Sequence, residues 1–338
     1  MKAVGFFKNL PISDDQALVD LELPEPEPGP RDLLVDVHAV SVNPVDTKVR
    51  RNAAPPAGQA RVLGFDAAGV VRAVGSAVSL FKPGDRVWYA GSIARPGSNA
   101  ERQLVDERIV GRLPQRLDFA QGAALPLTAI TAWELLFDRL QVRRDSSDES
   151  LLVIGAAGGV GSILVQLARR LTGLRVVGTA SRAETRAWVE RLGAHDVIDH
   201  SKPLDEELRR IGLAQVDYVA SLTQSDRHYA AVVEALKPQG RLGLIDDPAT
   251  PLDVMKLKRK ALSLHWEMMF TRPVFETPDM IEQHRLLNAL ADLVDAGTVV
   301  TTVGEHFGRI DAANLRRAHA LIESGTARGK IVLEGFGG

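Results

Sequence analysis

The sequence predicts an α/β chain of two domains, an irregular β-barrel and a doubly wound parallel sheet. Three observations lead there. The texture changes near residue 126, from short strands punctuated by glycine to strands that alternate with helices. From Leu151 onward that alternation is sustained, and βαβ repetition builds a parallel sheet covered on both faces. At its start a buried strand, a glycine-rich turn and a helix opening follow one another in the segment LLVIGAAGGVG, residues 151–161. A chain of 338 residues has room for two such domains.

In the first half, residues 33–37 and 67–71 are β-like runs, and Gly58, Gly64, Gly69, Gly75, Gly84, Gly91 and Gly97 punctuate the stretch. Pro83-Gly84-Asp85-Arg86 is a turn entering a strand at 87–89, and LPEPEPGPR at 23–31 is a proline-rich surface connector. Residues 131–140 carry apolar side chains at helical spacing, and the polar stretch 143–150 reads as a solvated loop. Strands follow at 151–154, 175–178, 196–198, 216–219 and 241–245, with helices at 161–171, 183–192 and 226–236. Beyond about residue 270 come a helix at 279–296, a short strand, a helix at 311–324 and a last strand at 330–334.

Composition narrows the function. With 41 basic and 43 acidic residues the net charge is -2, so no global basic field exists to hold nucleic acid or an anionic membrane. No apolar run is long enough to span a bilayer, and the first seven residues lack the pattern of a signal peptide, so a cytoplasmic protein is expected. The absence of cysteine removes disulfides, thiolate nucleophiles and every cysteine-liganded zinc site.

Within 151–161, Ala156-x-Gly158-x-x-Gly161 is the G-x-G-x-x-G dinucleotide fingerprint with alanine in first place, set between a strand and a helix as a Rossmann unit requires. Glycine lets the backbone turn tightly and approach a pyrophosphate, and the helix N-terminus adds amide donors. The alternative is a glycine turn that serves packing alone. About twenty residues on, where an acidic side chain would hold the ribose of NAD, the chain reads Gly178-Thr179-Ala180-Ser181-Arg182. Ser181 and Arg182 suit a 2′-phosphate, so NADP(H) is expected over NAD(H). The bland alternative makes Ser181 a helix N-cap and Arg182 a surface charge.

These segments, with VNPVDTK (42–48), GFDAAGVV (64–71), KPGDRV (82–87), LPLTAITAW (125–133) and GKIVL (329–333), resemble the medium-chain dehydrogenase/reductase superfamily. Within it they are most similar to the zinc-free quinone oxidoreductase-like branch, whose members often carry the label zinc-type alcohol dehydrogenase-like. The resemblance implies a GroES-like catalytic domain at 1–126 and 271–338 and a Rossmann NADP-binding domain at 127–270. It also places Asn43, Phe65 and Leu127 where zinc-dependent relatives hold the catalytic ion. Phe65 and Leu127 have no lone pair to give and an amide is a poor zinc ligand, so no metal is expected. Asp66 survives beside the lost ligand but cannot build a site alone. The segment 89–101 is too short for the family's four-cysteine lobe, and His195 and His200 flank a strand end without forming a metal site.

Without a Lewis acid, oxidation of a simple alcohol is disfavoured, whereas hydride delivery from NADPH to a quinone or an α,β-unsaturated carbonyl needs orientation, exclusion of water and stabilisation of a developing anion. The resemblance puts Lys48 where relatives keep a proton-relay histidine, against the alternative of a surface lysine. Asn43 could bond the acceptor oxygen or the cofactor ribose, against an Asx-turn ahead of Pro44. Tyr89 has a phenol suited to protonation, against a place in the core, and Asp46 reads as an anchor of its loop. For the cofactor, the family pattern implies Thr131 on the nicotinamide side and the amides of Gly158, Gly159, Val160 and Gly161 on the pyrophosphate. It further implies that 245–247 with Asp246 and 266–270 with Phe270 line the nicotinamide pocket, the latter stretch alternatively a buried strand. Lys330 is expected to reach the cofactor phosphates. The implied partners are a small-molecule quinone or enone and a second copy in a homodimer. Two rival readings stay open, a zinc-dependent alcohol dehydrogenase and a noncatalytic NADPH-binding protein of crystallin-like or RNA-binding type.

Overall fold

The strand Asp32–Val42 organises the first of two units in the computed structural model, which describes residues 1–337. That unit comprises Met1–Ile130 and Phe270–Gly338, and the second comprises Thr131–Met269. The divisions fall at 130/131 and 269/270, a few residues from the 126/127 and 270/271 expected from the sequence.

Valine and leucine dominate Asp32–Val42, and the strand is buried along most of its length, as suits the centre of a sheet. It pairs antiparallel with Ala67–Val74, Arg102–Asp106 and Lys330–Glu334. The sheet continues through Arg86–Tyr89 and Val110–Arg112 on one side and Val303–His306 on the other, seven strands among the described residues. A second sheet joins Val19–Glu22, Lys2–Phe6 and Arg61–Val62. Leu33, Val35, Val40, Val71, Val87, Trp88, Val105, Ile331 and Leu333 fill the interior. In the larger sheet Ile331 lies opposite Val42, a register that brings Lys330 to the point where the long strand ends at Asn43. There the helix Pro44–Asn52 starts, with Asn43 as N-cap, proline at its opening and Asp46 closing a capping box.

In the second unit six parallel strands run in the order Asp196–Ile198, Arg175–Thr179, Ser150–Ile154, Val216–Ser221, Leu236–Leu244, Ser263–Trp266. The helices Gly159–Leu171, Ala183–Arg191, Leu204–Arg210 and Ser225–Ala235 connect them. Leu152, Val177, Val219 and Leu242 from the sheet pack with Leu208, Tyr229, Val232 and Val233 from the helices in one apolar cluster.

Two local expectations are corrected. The helix expected over 131–140 is α-helical only to Trp133 and then widens into a π-helical turn, Glu134–Arg139. The N–H of Leu140 bonds to the carbonyl of Leu135, five residues back, and the wider turn buries Glu134, Leu135 and Leu136 in succession. The strand near 265–270 stops at Trp266, and Phe270 belongs to the first unit, where it meets Phe65 edge-on at 5.5 Å. No helix among the described residues is long and apolar enough to cross a membrane.

Candidate functional site

The second unit carries a turn shaped for a diphosphate. Its central strand runs into Gly155, whose φ of +82° lies in the left-handed region open to glycine. The Gly158 N–H closes the turn on the Gly155 carbonyl at 3.1 Å. A Cβ on Gly161 would stand 2.4 Å from that carbonyl oxygen and 2.6 Å from the Ala156 Cα, so the third glycine is required for the helix to start so near the turn. The helix Gly159–Leu171 opens without a side-chain cap, and residues 157–160 are only partly buried at the end of a fully buried strand. Uncapped amides at a helix N-terminus, set at the carboxyl end of a central parallel strand, form a ready anion site.

At the end of the neighbouring strand Arg175–Thr179, Ser181 and Arg182 are both exposed. Arg182 rather than Ser181 occupies the N-cap position of Ala183–Arg191, and its side chain makes no cap bond. Ser181 is therefore not the N-cap of the bland alternative. Thr131 is buried at the start of the unit. The Asp246 carboxylate accepts the N–H of Ser225 at 2.9 Å and the Ser225 hydroxyl, at the start of the helix Ser225–Ala235.

A buried pair of carboxyls lies in the same unit, at positions that no sequence motif marks. Glu134, on the π-helical turn, hydrogen-bonds Glu267, which also accepts Nε of Arg139 at 2.8 Å. Burial first, and then the neighbouring Glu134, push Glu267 up to about 9. The folded unit thus holds this proton more tightly than the unfolded chain does, so its contribution to stability is full below about 4.5 and lost as pH climbs through about 9. Glu267→Gln keeps both hydrogen bonds without a titratable proton. Thermal melts at several pH values in that window are expected to fall with rising pH in the parent and more shallowly in the variant; parallel profiles would count against the shared proton.

In the first unit the residues singled out around the metal positions converge on one buried cluster. Asn43, Asp46, Asp66 and Lys330 are all nearly inaccessible. The Lys330 ammonium donates to the Val42 carbonyl at 3.1 Å, to Asp66 Oδ2 at 3.0 Å and to Asn43 Oδ1. Asn43 Nδ2 donates to the same Asp66 oxygen at 2.8 Å, and the Leu127 N–H reaches Asp66 Oδ1 at 2.7 Å. Asp46 accepts the N–H of Asn43 at 2.8 Å and that of Gly64 at 2.9 Å, anchoring its loop as the sequence suggests. Burial raises the Asp66 carboxyl, and the Lys330 ammonium beside it pulls it back.

Three expectations change here. Lys330 has all three N–H donors engaged inside the unit and has none for a cofactor phosphate. Asn43 has its amide oxygen on Lys330 and its nitrogen on Asp66, so it orients a loop rather than meeting an acceptor oxygen. Tyr89 is wholly buried, its hydroxyl has no partner among the described residues, and burial raises its pKa, which makes it core and a poor proton source. Lys48 remains on the helix Pro44–Asn52, half-buried. The signal overlooked in the sequence was a lysine opening the apolar strand Lys330–Glu334, since a buried ammonium needs an acidic partner.

Comparison with known proteins identifies the family. Residues 29–115 match the family model for an alcohol dehydrogenase GroES-like domain, and residues 192–333 match that for a zinc-binding dehydrogenase. A zinc-type alcohol dehydrogenase-like protein of Staphylococcus aureus (strain MRSA252) is 40% identical over 336 residues, covering 98% of this chain and 99% of its own. A crystal structure of a putative zinc-dependent alcohol dehydrogenase from Rhizobium etli CFN 42 superposes with a TM-score of 0.97 at 58% identity, over 100% of this chain and 98% of that one. The Escherichia coli quinone oxidoreductase complexed with NADPH superposes with a TM-score of 0.84 at 26% identity, over 99% of this chain and 100% of that one. The chain belongs to the medium-chain dehydrogenase/reductase superfamily, in its quinone oxidoreductase-like branch.

Proposed function

We propose that this oxidoreductase is an NADPH-dependent, zinc-independent reductase of quinones or α,β-unsaturated carbonyls. The observation that carries the reading is the donor set at the three positions a family zinc would use. Phe65 and Leu127 offer a phenyl ring and an isobutyl group, and the Asn43 amide is engaged at both ends by Lys330 and Asp66. No group of three or more histidine, aspartate or glutamate side chains among the described residues could hold an ion. The residues do not fit zinc.

NADPH, when bound, supplies the hydride. The amides of Gly158, Gly159, Val160 and Gly161 hold its pyrophosphate, Ser181 and Arg182 its 2′-phosphate, and Thr131 lies on the nicotinamide side. Phe270 is proposed to contribute an apolar side chain to nicotinamide binding. The acceptor arrives already electrophilic, because conjugation spreads the incoming negative charge onto oxygen. Lys48 stabilises that charge or relays the proton that neutralises it. The open edge strand Ser263–Trp266, with Trp266 half-exposed, suits pairing with a second copy in a homodimer.

An acceptor panel tests the reading. NADPH oxidation is expected to require an added quinone or alkenal, with ethanol inert under either nicotinamide cofactor. Saturable NADPH binding with no turnover on any acceptor would instead favour a noncatalytic binding protein.

A further inference from the structure

Four separate stretches of the first unit meet around one buried ion pair. Val42 and Asn43 end the long strand, Asp66 precedes the strand Ala67–Val74, Leu127 gives its N–H to Asp66, and Lys330 opens the last strand. The side chains of Lys330 and Asp66 are 3% and 0% exposed, so the pair is removed from water and each charge depends on the other. We propose that Lys330 and Asp66 form a built-in ion centre at the place a metal takes in zinc-dependent relatives, tying these four stretches together. They thereby act as positioning residues for the helix that bears Lys48.

The donor polarity supports this assignment. A metal needs lone pairs directed at it, and an ammonium needs acceptors around it. Here the acceptors are three oxygens, from the Val42 carbonyl, the Asn43 amide and the Asp66 carboxylate, matched to the three N–H bonds of Lys330. Asp66 is engaged at both oxygens, with the Leu127 N–H on one and Lys330 and Asn43 on the other. Asn43 is held through its side chain by this pair and through its N–H by Asp46. Since Asn43 caps the helix Pro44–Asn52, the ion centre fixes where that helix starts and so where Lys48 sits.

The inference rests on the metal-free reading above, and the experiment separates the two. Lys330→Met, Asp66→Asn and the double variant are prepared in the full chain, with metal content measured on each. Lys330→Met leaves a buried carboxylate without its cation and is expected to melt about 10 °C below the parent. The double variant, which removes both charges, is expected to recover at least half of that loss. Measured below its melting point, Lys330→Met is expected to lose about tenfold or more in kcat with a quinone, while NADPH affinity, carried by the other unit, stays within about twofold of the parent. If Lys330→Met does not fold, the double variant and Asp66→Asn carry the comparison. A single variant as stable as the parent, a double variant destabilised by the sum of the singles, or an undiminished kcat in folded Lys330→Met would overturn the ion centre. A stoichiometric zinc in the parent that a chelator removes together with activity would overturn the reading beneath it.

Discussion

Gly161→Val is expected to abolish saturable NADPH binding. Even the first carbon of a side chain at this position would lie 2.4 Å from the Gly155 carbonyl oxygen and 2.6 Å from the Ala156 Cα, and both are backbone atoms that cannot rotate away. The helix Gly159–Leu171 must then retreat from the strand Ser150–Ile154, and the amides that form the anion site retreat with it. Overpacking of this kind typically costs about 1–3 kcal/mol in stability, so the unit is expected to remain folded at moderate temperature while its cofactor site is lost. Gly158→Ala is the matched control. Its added carbon meets only the Gly155 oxygen, at an ordinary 3.4 Å, so the fold is expected to tolerate it. Any loss of NADPH affinity in that variant reports on the space a pyrophosphate needs. Fluorescence titration with NADPH measures both, and wild-type affinity in Gly161→Val would remove the glycine turn from the cofactor site.

The second large effect concerns the choice of cofactor. Arg182→Ala is expected to raise the KM for NADPH by about 10- to 100-fold, the equivalent of losing one charge-assisted hydrogen bond of about 1.5–3 kcal/mol. The KM for NADH is expected to move by less than about twofold, because NADH has no 2′-phosphate for the guanidinium to meet. Steady-state kinetics with both cofactors on one acceptor gives the comparison. Equal changes for the two would mean that Arg182 serves the fold or the general field rather than the phosphate.

The two-domain architecture was legible in the sequence because its signals are local. The glycine fingerprint sits between one strand and one helix, and the βαβ alternation repeats at short range, so strands such as Asp196–Ile198 and Lys330–Glu334 appear where expected. The π-helical turn was not legible, since apolar residues at helical spacing look the same whether the fifth or the fourth carbonyl back accepts the bond. The buried clusters were hidden for another reason. Lys330 and Asp66 are 264 residues apart, and they meet because the long strand pairs with both of theirs, Val42 opposite Ile331 and Val40 opposite Ala67. Taken singly in the sequence, Lys330 reads as a cation for a phosphate and Asp66 as a remnant. Glu134 and Glu267 are likewise ordinary acids until the fold buries them side by side. Lack of metal donors at Phe65 and Leu127, by contrast, needed only the residue types, since no fold can give a phenyl or an isobutyl group a lone pair.

The most direct test of the account is elemental analysis of the purified chain, paired with quinone-dependent NADPH oxidation before and after exhaustive treatment with a strong chelator. The account predicts far less than one transition-metal ion per chain and the same rate on both sides of the treatment. One bound zinc per chain, with activity that vanishes on its removal and returns on its addition, would contradict it.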